Sequence, residues 1–170
     1  IDRVQKLAPF LSYDKDPYLV ISGGSLVWVI DAYTSSDKYP FSQYYGNVNY
    51  ISNSIGVTVD AYNGAVHSYI IDEEGPTAQS YAKIYEGLFK SKQELPLDIV
   101  SHFRYPADLF NLQCQVLNKY HVTNSFMFFT EEDMWQVSTA NGSSSEASVN
   151  EANYVMTRLP DEEDTEMLLV

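Results

Sequence analysis

"SIGVTVDAYNGAVHSYIID", residues 54–72, is the stretch that decides the fold. Two runs rich in β-branched and aromatic residues flank Asn63-Gly64, a pair favoured where both central residues of a tight turn need positive φ. A two-residue turn there pairs Val57 with Ile70, Val59 with Ser68 and Ala61 with Val66, collecting apolar side chains on one face. The opposite face then carries Thr58 across from Tyr69 and Asp60 across from His67, which predicts half-exposure or a polar partner. The local unit is an antiparallel hairpin.

Upstream, "DPYLVISGGSLVWVIDAY" at 16–33 repeats the pattern around Gly23-Gly24. A turn at those glycines sets Ile21 against Leu26, Val20 against Val27 and Leu19 against Trp28. Both faces of this hairpin are apolar, which predicts a central position covered on both sides. Its second run ends in Asp31, followed by the aromatic and hydroxyl-rich "AYTSSDKYPFS". We expect Asp31 to cap the strand exit through backbone hydrogen bonds. Tyr33 and the later rings either fold over the sheet or form an interface patch. "VIDAY" and "TVDAY" are a faint echo, too short to establish a repeat.

Downstream the period changes. "PTAQSYAKIYEGLF" predicts a helix opened by Pro76, and Pro96 and Pro106 each open a further helical segment. In the last of these Leu109, Leu112, Gln113, Val116, Leu117 and Tyr120 form an inward stripe. "TEEDMW" predicts a short helix with Thr130 as its N-cap. Residues 138–152 are a low-complexity, flexible loop. "NYVMTRLP" and "TEMLLV" then predict two strands around an acidic turn. Strands, then helices, then strands imply an α+β domain: an antiparallel sheet of hairpins with a central group of helices packed on it. At 170 residues a single domain is expected.

Charge narrows the function classes. The net charge of −13 disfavours nucleic-acid phosphates and anionic membrane surfaces. The lone Cys114 cannot form an internal disulfide or a cysteine zinc site, and it suits a small packed hydrophobe better than a nucleophile. No stretch is long and apolar enough for a membrane span. The start at Ile1 and the finish in "EMLLV" suggest a piece of a longer chain.

Chemical motifs are sparse. A phosphate loop, a nucleophile elbow and a helical zinc-protease motif are absent from the sequence. His67, His102 and His121 are widely separated, and no residue is assigned a catalytic role. Asp60 and His67 could pair across their hairpin, either as a carboxylate–imidazole unit or as a simple polar pair. Arg104, in "HFRYP", could bind an anion, tie a helix end or stack on a tyrosine. Asp14 and Asp16 offer oxygens that Ca²⁺ favours, without an EF-hand loop; solvated turns are the simpler reading, and no metal site or cofactor is assigned. The candidate binding residues are therefore Asp31, Tyr33, Asp60, His67 and Arg104.

Long segments of the chain, among them "GSLVWVIDAYTSSDKYPFSQ", "NYISNSIGVTVDAYNGAVHSYIID", "FRYPADLF", "EEDMWQV" and "YVMTRLP", resemble the bacterial uncharacterised protein family 0182. The resemblance implies a multi-pass membrane protein with a large extracytoplasmic domain, of which this chain would be part. It supplies no catalytic residues. The expected role is a non-catalytic interaction module touching other domains of the parent chain or envelope proteins, with membrane contact only through the parent. The alternative is an accessory or hydrolase fragment whose active site the rest of the parent completes. The hairpin "VTVDAYNGAVHSYIID", residues 57–72, also resembles the short strand units of PepSY-type regulatory domains, which favours binding.

Overall fold

Two long strands form the spine. In the computed structural model, which describes residues 1–138, 152–160 and 162–170, β3 runs Ser25–Ser36 and β4 runs Tyr50–Asp60. They pair antiparallel from Val27↔Asp60 to Ser36↔Tyr50. The chain divides into two compact units, Ile1–Phe103 and Arg104–Val170.

In the first unit, helix α1 (Asp2–Leu7) precedes β1 (Ser12–Tyr13) and β2 (Tyr18–Ser22). β5 (Val66–Ile70), α2 (Pro76–Ile84), β6 (Phe89–Ser91) and α3 (Leu97–Val100) follow β4. The sheet has the order β1-β3-β4-β5-β6, with β2 also paired to β3. All pairings are antiparallel except β5–β6. The α+β class and the mostly antiparallel sheet are as the sequence predicts; the parallel edge was not foreseen.

Strict alternation in β3 and β4 sends apolar side chains to both faces. On one face Ile30, Ala32, Ile55, Val57 and Ile70 pack against Val4, Ala8 and Leu11 and against Ala78 of α2. On the other, Val20, Val29 and Tyr69 pack against Leu95, just before α3, and Ile99 within it. Pro76 sits in the first turn of α2, as predicted. The Asp72 carboxylate accepts the Glu74 and Gly75 N–H groups that lead into that turn.

The Gly23-Gly24 register is as predicted, with Leu19↔Trp28, Val20↔Val27 and Ile21↔Leu26. Both glycines have positive φ, 56° and 79°, which the tight turn needs. Its placement is corrected. β3 is central, but β2 is an edge strand, and Leu19 and Ile21 are 45% and 70% exposed.

The other hairpin slips by two residues. Val57 pairs with Ser68, Thr58 with His67 and Val59 with Val66. Asp60 is the cause: its Oδ1 accepts the N–H groups of Tyr62 and Asn63, while Asn63 Oδ1 accepts that of Ala65. These bonds stabilise a four-residue loop closed by Asp60 N–H to Ala65 O. Because side chains alternate with period two, a two-residue slip leaves every residue on its predicted face. The supposedly polar face is nevertheless closed at its centre, with Thr58 and Tyr69 both buried beside α3's cluster.

The second unit contains α4 (Ala107–Tyr120), α5 (Ser125–Thr130) and a hairpin of β7 (Tyr154–Thr157) with β8 (Glu166–Leu169). Pro106 precedes α4, and the two C-terminal strands form as predicted. Two expectations are corrected. Thr130 ends α5 rather than starting a helix: its hydroxyl donates back to Phe126 O, and Glu131 turns left-handed. Asn124 is the N-cap, its Oδ1 accepting from Phe126 and Met127 N–H. The α4 stripe is not inward either, since no residue of that helix is buried and Val116, Leu117 and Tyr120 are about half-exposed. The low-complexity loop lies, apart from Ser138 and Ala152, outside the described residues.

Candidate functional site

Apolar alternation stops at a β-bulge. Ala32 faces Ile55, but Tyr33 faces Asn53, so Ser54 is the extra residue. Beyond it the buried side chains turn polar. Thr34 and Ser54 are 1% and 0% exposed and share a hydrogen bond of 3.0 Å. Ser54 also donates to Ser52 Oγ at 2.9 Å. Ser52 reaches Asp72 Oδ2 at 3.4 Å.

Tyr33 is buried beside this ladder, and its phenol donates to Asp14 Oδ2 at 2.5 Å. Asp14 is 2% exposed, and its Oδ1 accepts the Asp16 N–H. A carboxylate so deep is tolerated only when such donors replace its water. Asp31 does not end a strand. It lies within β3, where its carbonyl accepts the Asp14 N–H and its carboxylate accepts from Asn53 Nδ2 at 3.1 Å. The expected cap at Asp31 is corrected to a cross-strand clamp. Asp31, Tyr33 and Asp14 thus gather at the bulged end of the sheet, although Asp14 was singled out in the sequence only for its proximity to Asp16.

This cluster has the chemistry of a structural lock. Each acid of the cluster accepts from a donor, while the buried Asn53 Oδ1 accepts from none among the described residues, and no nucleophile–base pair with an open approach is formed by the residues named. Among the described residues no group of three or more His, Cys, Asp or Glu side chains is placed to hold a metal ion.

Of the other candidates, Asp60 and His67 belong to the second hairpin of the first unit. Asp60 faces Ala65 across its loop, so the Asp60–His67 pair is not formed, and His67 is exposed. The Asn63 and Tyr62 backbone N–H groups hold the Asp60 carboxyl below its ordinary range. Arg104 belongs to the second unit, where its guanidinium lies 4.4 Å from the centre of the Tyr154 ring, one of the alternatives the sequence allowed. Tyr154 in turn donates to the Tyr105 carbonyl at 2.7 Å. Cys114 borders a cleft of about 440 Å³ with Phe110, Asn111 and Asn153.

Aromatic side chains are exposed in both units, and Tyr39 and Phe41 of the first unit lie in the stretch that the sequence offers as an interface patch. In the second unit Phe126, Phe129 and Trp135 are 68%, 85% and 53% exposed, and Leu117 and Tyr120 of α4 are 52% and 53% exposed. In the first unit the β3–β4 loop holds Phe41 fully exposed, with a left-handed φ of 58°. That loop is internally braced: Asn49 bonds to both the N–H and the carbonyl of Tyr39, and Tyr39 stacks on Tyr50 at 5.1 Å.

The geometry defines a class: a mostly antiparallel α+β segment, acidic, with its inner acids engaged in hydrogen bonds and much aromatic surface uncovered. The family model described as "Uncharacterised protein family (UPF0182)" matches residues 1–170, and the chain belongs to that family. It is 53% identical over 174 residues to a UPF0182 protein of Clostridium acetobutylicum, covering all of this chain and 19% of that protein. A UPF0182 protein of Clostridium kluyveri is 54% identical over 170 residues, covering 99% of this chain and 19% of the relative. One from Clostridium perfringens is 47% identical over 194 residues, covering 100% and 21%. The chain therefore spans about one fifth of the length of these curated relatives. No solved structure matches it. No helix among the described residues is long and apolar enough to cross a membrane.

Proposed function

We propose that this segment is a non-catalytic interaction module on the extracytoplasmic side of a larger bacterial membrane protein. It works by contact with other domains of the parent polypeptide or with envelope proteins. The observation that carries the reading is the second unit's uncovered apolar surface, where Phe129, Phe126 and Trp135 stand beside a 14-residue helix without one buried residue. Phe126 and Phe129 are three apart on α5 and so share a face of that helix, and exposed apolar surface shared in this way marks an interaction site. Relatives five times longer supply ample chain to cover it. The net charge of −13 leaves membrane contact to the rest of the parent.

Location is tested by thiol labelling in whole cells. In full-length protein carrying Cys114→Ser, an exposed Glu86→Cys is expected to react with a membrane-impermeant maleimide before lysis. Labelling only after lysis would place the module inside the cell and end the extracytoplasmic reading.

A further inference from the structure

We propose that β2 is the receiving edge for an additional strand, supplied by the same polypeptide outside these 170 residues. This rests on the interaction-module reading and specifies one of its surfaces. The two-residue turn makes Ser22–Ser25 a hydrogen-bonded pair, and antiparallel pairing then alternates. Tyr18, Val20 and Ser22 turn their backbone groups towards β3. Leu19 and Ile21 turn theirs outward, and among the described residues β3 is the only strand paired with β2.

Edge strands are ordinarily protected by charge, proline, a bulge or an overlying element. "YLVIS" has no charge, no proline and no bulge. Helix α3 covers only the face on which Val20 is buried, and Asp98 ties it to Ser22 and Gly23 at the turn. The opposite face is uncovered: Leu19, Ile21 and Trp28 are 45%, 70% and 41% exposed. Beside them Val4, Pro17, Trp28, Ile30 and Val59, together with the charged Arg3, line a cleft of about 270 Å³, large enough for an apolar side chain. An edge with free peptide groups next to an apolar strip fits an extended segment whose alternate residues are apolar. β2 itself carries no charged side chain to steer an incoming strand, so its occupant must be brought close by other means. A tethered strand meets that condition, because linkage replaces a bimolecular encounter by a high local concentration. With about four-fifths of each relative lying outside the matched region, the tether exists in the family.

The test is hydrogen exchange at single-amide resolution on the full-length protein. The amides of Leu19 and Ile21 are expected to exchange at least ~100-fold more slowly than unstructured chain, as hydrogen-bonded strand amides do. The Val20 amide, bonded to β3, is the internal reference. In Leu19→Pro the altered N–H is one that β3 does not use, so β2–β3 pairing survives. Ile21 is then expected to lose at least ~10-fold of its protection while Val20 keeps its own. Unprotected Leu19 and Ile21 amides in the wild-type protein would overturn the proposal, and would leave the module reading to its other surfaces. Protection that rises with protein concentration would also overturn it, by assigning the edge to a second copy.

Discussion

Replacing Ile55 by alanine is expected to destabilise the first unit by about 2–5 kcal/mol, the range for removing a large aliphatic side chain from a packed core. Ile55 has no exposed surface and is the largest of the fully buried side chains. It pairs with Ala32 on one side and Ile70 on the other, at the centre of the cluster that joins the sheet to α1 and α2. Neighbours on two elements hold their positions, so the site collapses poorly and most of the lost volume stays as cavity. Ile55→Val, which removes one methyl group, is expected to cost only about 0.5–1.5 kcal/mol. Urea unfolding followed through Trp28 fluorescence in a Trp135→Phe background separates the two. A loss below about 1 kcal/mol for the alanine variant would show that Ile55 is not at the centre of the core.

The second large effect is expected at the bulge. Tyr33→Phe removes the phenol that donates to Asp14 and leaves a carboxylate that is 2% exposed short of one donor. The expected cost is about 1–3 kcal/mol, because stranding a buried acceptor costs more than losing one hydrogen bond between exposed groups. Tyr13→Phe is the comparison. Its phenol donates to the Val4 and Ala8 carbonyls from a half-buried position, and burial pushes its own ionisation up to about 12. Those carbonyls have other partners or access to water, so about 0.5–1.5 kcal/mol is expected. Equal losses in the two variants, by the same urea measurement, would deny Asp14–Tyr33 its role as the lock of the polar end.

The sequence made the hairpins legible because glycine pairs and β-branched runs are local signals. Gly23-Gly24 worked because nothing nearby competed with the two-residue turn. Asn63-Gly64 failed in register because Asp60 bonds to the two N–H groups that follow it and lengthens the loop. The faces survived that error, since the slip was an even number. At Asp31 an acid after an apolar run suggests a strand end; the residues that keep it within β3, Asn53 of β4 and Asp14 just after β1, are distant in sequence and cannot be foreseen from 31 alone.

Periodicity found the stripe on α4 correctly as a pattern, but a pattern does not say whether its cover lies within the same 170 residues. Asn124 before "SFMFF" is a readable cap, whereas the Thr130 hydroxyl serves the end of the same helix. The Arg104–Tyr154 contact joins residues 50 positions apart, and only the residue types hinted at it.

The central claim is that this segment's uncovered apolar surface is covered in the parent protein. Hydroxyl-radical footprinting of the full-length protein measures it directly, because oxidation of an aromatic ring follows its solvent access. Phe129 and Trp135 are 85% and 53% exposed in this segment. Covered by a partner, they are expected to oxidise at least ~10-fold more slowly than a ring of that exposure, as residues in the dry core of an interface do. Oxidation of both rings at the full rate of exposed side chains would contradict the account.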